Sequence, residues 1–310
     1  MANLLTIINF LSNTRIMILD SFLILLPLVF LALGGYFLSM FYSLSEDTLI
    51  RIVTDFFMPV LIFYSLYTSD IKLSETLKLF VVVSFVLIFL FVLCFFYCRL
   101  FKLDFKAFSP PILFMNSGFI GIPLMKLWGG FAAMNYIVIY DQIQTFYIFT
   151  LGIIILAGGF TLVGIREMIK SPLLWAIIAG FLAKYLHIPV SEDLIKTLGY
   201  CGAGAPALAI FALGCSLRKR RIIFDVHLLS GLIFRFVFGF LAGLIATAVL
   251  NITGTERTII LVASSLPSAV FSVVLPLRYG VNPRFAGSLI LTSSILSIFI
   301  IPVVFYLSSL

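Results

Sequence analysis

Apolar residues in this chain come in blocks of about twenty, set apart by short stretches that hold most of the charges, glycines and prolines. Read block by block, the pattern predicts ten segments: 17–40, 49–68, 77–98, 107–129, 131–157, 172–187, 194–217, 226–249, 257–277 and 284–308. A helix needs about 20 largely apolar residues to cross the hydrocarbon of a bilayer, so the expected fold is an all-α polytopic membrane protein with ten spans. The first block follows Arg15 as a signal peptide would, but it runs on for more than twenty residues without an A-x-A cleavage pattern and reads as the first span.

Composition agrees with this pattern. Of 310 residues, 62% are apolar and 11% charged, and the mean hydropathy is +1.22. A soluble chain averages roughly 45–50% apolar and about 25% charged, so this one has too little polar surface to wrap a core in water. A soluble enzyme, a nucleic-acid binder and a disordered tail protein are thereby excluded. The net charge of +7 reports topology: twelve basic residues fall on one side of the ten spans and seven on the other, with Arg235 inside a span. The richer side includes Arg218, Lys219, Arg220 and Arg221, and the positive-inside rule makes it cytoplasmic. Both termini of this plasma or inner membrane protein are then expected outside the cytoplasm. Cys94, Cys98, Cys201 and Cys215 lie in apolar stretches without metal spacing and read as buried apolar groups. Neither a metal nor any other cofactor is expected.

The two halves share landmarks at a nearly constant offset. Gly34 and Gly180 are 146 apart, as are Ser45-Glu46-Asp47 and Ser191-Glu192-Asp193, each a serine N-cap with two acids in the first turn. Pro59 pairs with Pro206 at 147, Pro123 with Pro267 at 144, and Phe131-Ala132 with Phe285-Ala286 at 154. Residues 17–157 and 172–310 therefore read as two copies of one unit. Five spans is an odd number, so the second copy enters the membrane upside down, the inverted repeat found in secondary transporters.

Spans four and nine are interrupted at matching places, by Asn116-Ser117-Gly118-Phe119-Ile120-Gly121-Ile122-Pro123 and by Ser264-Ser265-Leu266-Pro267-Ser268. Proline inside a helix removes a backbone hydrogen bond at a cost of about 3 kcal/mol. Irregular backbone at membrane depth is tolerated only where protein or a water-filled cavity satisfies it. Half-helix N-termini at such breaks attract anions and freed carbonyls hold cations. Asn116, Ser117, Gly118, Pro123, Ser264, Ser265, Pro267 and Ser268 are therefore candidate substrate-site residues.

Asn116 through Leu124, N-S-G-F-I-G-I-P-L, resembles the fourth-helix motif of the auxin efflux carrier family, which includes the plant PIN carriers and bacterial malate or malonate permease-like proteins. Met58-Pro59-Val60-Leu61-Ile62-Phe63, Tyr140-Asp141-Gln142, Thr150-Leu151-Gly152 and Tyr279-Gly280-Val281-Asn282 carry the resemblance across the chain. It implies a fold like that of bile-acid sodium symporters, with helices four and nine crossing at their breaks. It also implies an elevator-type movement of spans three to five and eight to ten against a scaffold of spans one, two, six and seven. Organic-anion substrates follow, with Asn116 in the pocket. Residues 158–171 form a short connection, as in the compact microbial members, which argues against auxin itself as the substrate.

Several polar residues sit inside predicted spans. Asp141 lies some ten residues into span five, where an ionised carboxylate costs about 2.5–3.5 kcal/mol. It must face a cavity, find a partner or carry a proton for part of the time. Gln144 and Thr145 share its helix face. Asp141 reads either as a proton-binding coupling residue, with Gln142 or Gln144 assisting as substrate-binding residues in the pocket, or as a structural acid paired to a neighbouring helix. Arg235, in span eight, could hold a substrate carboxylate, although pairing with an acid such as Asp141 or Asp55 is the expectation, because buried ions have fixed partners. Asp55 precedes Pro59 by four residues, which frees its carbonyl; it either lines the site or lies at the cytoplasmic end. Ser264, Ser268 and Ser272 form one stripe, in which Ser272 is expected only to pack. Gly239 and Gly243 form a G-x-x-x-G that intramolecular packing would explain. Asn251-Ile252-Thr253 fits a glycosylation sequon, and His187 and His227 lie near span ends outside any H-E-x-x-H.

These features favour a secondary transporter of small organic anions by alternating access, with H+ coupling, Na+ coupling and uniport all open. An intramembrane enzyme lacks its motifs here: there is no H-E-x-x-H, G-x-S-x-G or G-x-G-D. A channel or receptor would more often gather a symmetric pore from fewer spans per chain. The expected partners are an organic anion, H+ or Na+ and the lipid bilayer, with a homodimer left open and no nucleic acid.

Overall fold

A computed structural model describes residues 26–68, 72–157, 172–218, 223–270, 279–282 and 284–309, together with isolated positions 23, 162, 166, 169, 170, 272 and 276. The helices are α1 (Leu26–Phe41), α2 (Glu46–Ile52), α3 (Met58–Thr68), α4 (Leu73–Phe101), α5 (Phe105–Phe108), α6 (Pro110–Leu113) and α7 (Ile122–Tyr147). They continue with α8 (Ile153–Ala157), α9 (Pro172–Tyr185), α10 (Glu192–Arg218), α11 (Val226–Ile233), α12 (Gly239–Val249), α13 (Gly254–Ser264) and α14 (Arg284–Ser309). Strands are absent among the described residues, and the protein is all-α.

Six helical stretches are long and apolar enough to cross a bilayer: Thr48–Thr68, Ser74–Phe101, Ser117–Leu156, Glu192–Cys215, Val226–Val249 and Arg284–Ser309. The apolar helices α1 and α9 are shorter. In α4, Leu79, Val82, Val83, Val86, Leu87, Leu90 and Cys94 are buried, while Leu77, Phe80, Val81, Phe85, Ile88, Val92 and Phe96 are exposed. The buried positions follow the helical period, and both faces are apolar. Such a helix packs on protein with one side and meets hydrocarbon with the other.

The longest stretch, Ser117–Leu156, is two helices. Gly129 (φ −129°, ψ 18°) and Gly130 (φ 66°, ψ −153°) leave helical geometry. The Ser117–Asp141 and Met115–Gln144 hydrogen bonds both centre on that point, so the chain folds back as an antiparallel hairpin. Glycine supplies the positive φ that other residues resist. The second half repeats the device: Arg257 donates to Ser308 O at 2.5 Å and Ser268 N to Ser293 Oγ at 3.2 Å, around Gly280 with φ 69°. Helices α4 and α12 also end alike, on left-handed Lys102 (φ 55°) and Asn251 (φ 51°), with Leu103 N bonded to Cys98 O and Ile252 N to Thr247 O. The predicted serine caps form as well, Ser45 Oγ accepting from Thr48 N and Ser191 Oγ from Leu194 N.

Four π-helical turns lie among the described residues; Ile148–Gly152 and Phe234–Phe238 have no proline nearby, and the other two each precede one. A five-residue π-helical turn, Val53–Phe57, precedes Met58-Pro59, and another, Ser117–Gly121, precedes Ile122-Pro123. A proline ring clashes with the carbonyl four residues back, and the wider i→i−5 register relieves that clash. In both turns the residue before proline bonds five back, Met58 N to Val53 O and Ile122 N to Ser117 O.

Helix α3 packs against α9 and α10, and α1 joins them through close backbone crossings at Gly35 and Gly214. Helix α4 packs against α7 and α12, and α13 against α7, α12 and α14. The π turn Ser117–Gly121 lies on α10, between the two groups.

Candidate functional site

Helix α6 ends at Leu113 and α13 at Ser264, and the non-helical stretches that follow cross as a single antiparallel bridge between Met115 and Ser268. Asn116 N donates to Pro267 O at 2.8 Å and Ala269 N to Phe114 O at 2.9 Å. Each interruption strips the backbone of helical partners, and each supplies the partners the other lacks. Beyond the bridge, residues 271–278 fall outside the described residues apart from 272 and 276.

A side chain from the returning helix completes the bridge. Gln144 Oε1 accepts from Met115 N at 3.0 Å, while its Nε2 donates to Met115 O at 2.7 Å and to Ser117 Oγ at 3.0 Å. Gln144 thus holds both ends of the Met115 backbone and has no amide hydrogen-bonding group directed to a ligand. Asn116 caps the half-helix that starts at Ser117, its Oδ1 accepting from Phe119 N at 3.2 Å, and its buried Nδ2 has no partner. Ser117 Oγ donates to Asp141 Oδ1 at 2.6 Å, and Gln142 Nε2 donates to Asp141 Oδ2 at 3.1 Å. A Cβ on Gly118 would lie 3.2 Å from Asp141 Oδ1, so the missing side chain lets the carboxylate rest against the half-helix N-terminus.

Some of these groups border a cavity of about 50 Å³, whose lining includes Asn116, Gly118, Asp141, Gln144 and Thr145. A space of that size takes a few waters and is too small for a dicarboxylate. The predicted common face of Asp141, Gln144 and Thr145 is present. Sequence reasoning missed the far wall, formed by Thr54 of the π turn, Met58 and Ile62 of α3 and Leu173 of α9. The signal was at hand in Met58-Pro59, which resembled the family as the fourth-span motif did. A larger cavity of about 470 Å³ runs between α1, α10 and α14 and reaches Ile120; its lining is mainly aliphatic.

Other predicted residues take different positions. Ser264 and Ser265 turn their hydroxyls back to Leu261 O at 3.1 and 2.8 Å, closing the last turn of α13. Pro267 contributes its carbonyl to the bridge, and Ser268 Oγ is buried without a partner. Pro123 sits in the first turn of α7, where proline is well tolerated, so its effect is the π turn before it and not a mid-helix gap. Gln142 borders Asp141 but not the cavity. Asp55 points outward, accepting from Thr54 Oγ1 at 3.0 Å, because the π turn directs Thr54 to the cavity instead. Ser272 does more than pack: its hydroxyl donates to Pro110 O at 3.1 Å.

Arg235 requires the largest correction. It is fully buried, and its guanidinium donates to the carbonyls of Ile112 and Ser264, not to Asp141 or Asp55. The expectation of an acid partner overlooked that broken helices release carbonyls, which are acceptors with no side-chain signature in the sequence. Gly239 and Gly243 pack against Ser264 from α12, so the G-x-x-x-G is intramolecular.

The chain matches the membrane transport protein family over residues 21–163 and 159–305. It is 28% identical over 290 residues to an uncharacterized transporter of Methanothermobacter thermautotrophicus, covering 89% of this chain and 95% of that protein. An uncharacterized transporter of Methanocaldococcus jannaschii is 28% identical over 304 residues, 90% of this chain and 96% of its own. With apolar helices long enough to cross a bilayer and a family match over nearly its whole length, the chain belongs to the membrane transport protein family, the auxin efflux carriers, and is a multi-pass transporter and not an enzyme.

Proposed function

We propose that this transporter is a secondary carrier of small organic anions, built from ten spans in two inverted repeats and working by elevator-type alternating access. The paired hairpins around Gly130 and Gly280, and the matching caps at Lys102 and Asn251, support the repeat. The packing of α1, α3, α9 and α10 as one group and of α4 to α8 with α11 to α14 as another supports a scaffold and a transport unit. The apolar cavity between α1, α10 and α14 follows the seam along which one unit would slide.

One observation carries the substrate and the coupling: Asp141 occupies the half-helix N-terminus that an anion would use. Backbone N–H groups and about half a positive charge gather at such an end. An ionised Asp141 and a substrate carboxylate compete for it. Protonation of Asp141 removes the competitor, and the free Nδ2 of Asn116 then offers the entering anion a donor. Substrate and proton are thereby bound together, and the cavity must widen for both.

Counterflow of radiolabelled malonate and malate in proteoliposomes tests this reading across pH. Wild-type flux is expected to saturate and to rise as pH falls, because the protonated form admits the anion. Asp141→Asn is expected to transport with a flat pH profile. Unsaturable conductance, or an unchanged pH profile in the variant, would overturn the mechanism.

A further inference from the structure

Arg235 is the largest fully buried side chain among the described residues, and it does not line the cavity at Asp141. Its role follows from the two carbonyls it holds. In unbroken helices Ile112 O would accept from Asn116 N, and Ser264 O from Ser268 N. Here Asn116 N turns to Pro267 O and Ser268 N to Ser293 Oγ, so both carbonyls are released at the ends of half-helices. The two Nη groups of Arg235 take them, one each. One half-helix is residues 105–113, where Ser109 keeps helical geometry between α5 and α6; the other is α13.

Charge balance explains why a guanidinium is tolerated there. A helix C-terminus carries roughly −0.5 of an elementary charge, so two of them offset a single cation without any carboxylate. A buried ion lacking such compensation would be strongly destabilising. Space is also arranged for it: a side chain on Gly239 would collide with Ser264 O and with the guanidinium, and one on Gly243 with Ser264 Oγ.

Released carbonyls at half-helix C-termini are the groups that hold a dehydrated Na+ in other carriers with broken helices. We propose that Arg235 is a resident cation that bridges the ends of both interrupted helices in place of a bound Na+, so that transport needs no sodium. Arg235 is then a positioning residue for the crossing. This inference rests on the carrier reading above and sharpens it, since it removes Na+ from the coupling ions.

The test compares thermal unfolding of purified wild type and Arg235→Ala in choline chloride, NaCl and guanidinium chloride, each at the same low millimolar concentration. The wild type is expected to melt at one temperature in all three. Arg235→Ala should melt lower in choline by on the order of 5 °C and recover in Na+ or guanidinium, a rescue that lost packing alone would not show. Na+-specific stabilisation of the wild type, or a variant that melts like the wild type or is rescued by neither cation, would overturn the proposal. Should Arg235→Ala not accumulate, the wild type decides: equal midpoints with malonate counterflow equal in Na+ and choline support the proposal, and a Na+ requirement overturns it. Absence of counterflow with the cation pattern intact would overturn the carrier reading alone.

Discussion

Replacing Gln144 by leucine removes the one side chain that holds both polar groups of the Met115 backbone. Leucine has nearly the same volume, so the cavity term is small and the loss is one of hydrogen bonding. Met115 is 1% exposed, and its N–H and C=O would both be left buried and unpaired. Each orphaned group costs about 1–3 kcal/mol, which places the total at roughly 2–6 kcal/mol, a large share of the roughly 5–15 kcal/mol that holds a typical protein folded. At about 2 °C per kcal/mol for a chain of this size, the unfolding midpoint should fall by about 4–12 °C. Gln142→Leu is the control. Gln142 Oε1 is buried without a partner and its amide makes a single bond, to Asp141, so its removal should move the midpoint by no more than about 2 °C. Thermal unfolding in detergent, followed by size-exclusion chromatography, measures both. A Gln144→Leu protein that melts within about 2 °C of the wild type would refute the assignment of Gln144 as the clamp of the crossing.

Two further substitutions test close approaches. Gly118→Ala places a methyl 3.2 Å from Asp141 Oδ1; flux and its pH dependence should fall while the midpoint stays near that of the wild type, and unchanged counterflow would count against the contact. Gly35→Val drives a side chain into the backbone of Phe211 on α10, at a cost of about 1–3 kcal/mol, and the midpoint should drop, whereas Gly34→Val, with nothing within 4 Å, should be tolerated.

What was legible beforehand was local in origin. The apolar helices follow from apolar blocks, and the break expected between residues 129 and 131 falls at Gly129 and Gly130, where the apolar pattern breaks. The Ser45 and Ser191 caps form because a serine hydroxyl needs only the next turn. Of the two landmark glycines, Gly180 packs closely on Leu66 of α3, whereas Gly34 faces open space and its neighbour Gly35 makes the tight crossing. Periodicity locates a helix but does not decide which of two adjacent glycines meets its neighbour.

The amino-acid sequence by itself determined where helices run, where prolines and glycines interrupt them, and which few polar residues lie within apolar spans. Those properties depend on residues a few positions apart. Only the tertiary structure decided the partners: Asn116 with Pro267, Gln144 with Met115, Arg235 with Ile112 and Ser264, and Asp55 turned away while Thr54 faces the cavity. Most of these contacts join groups far apart in the chain, and several of the acceptors are backbone carbonyls, which every residue carries. Nothing in residue type marks the carbonyl that a broken helix will release, so the cation at the crossing becomes intelligible only when both breaks are seen together.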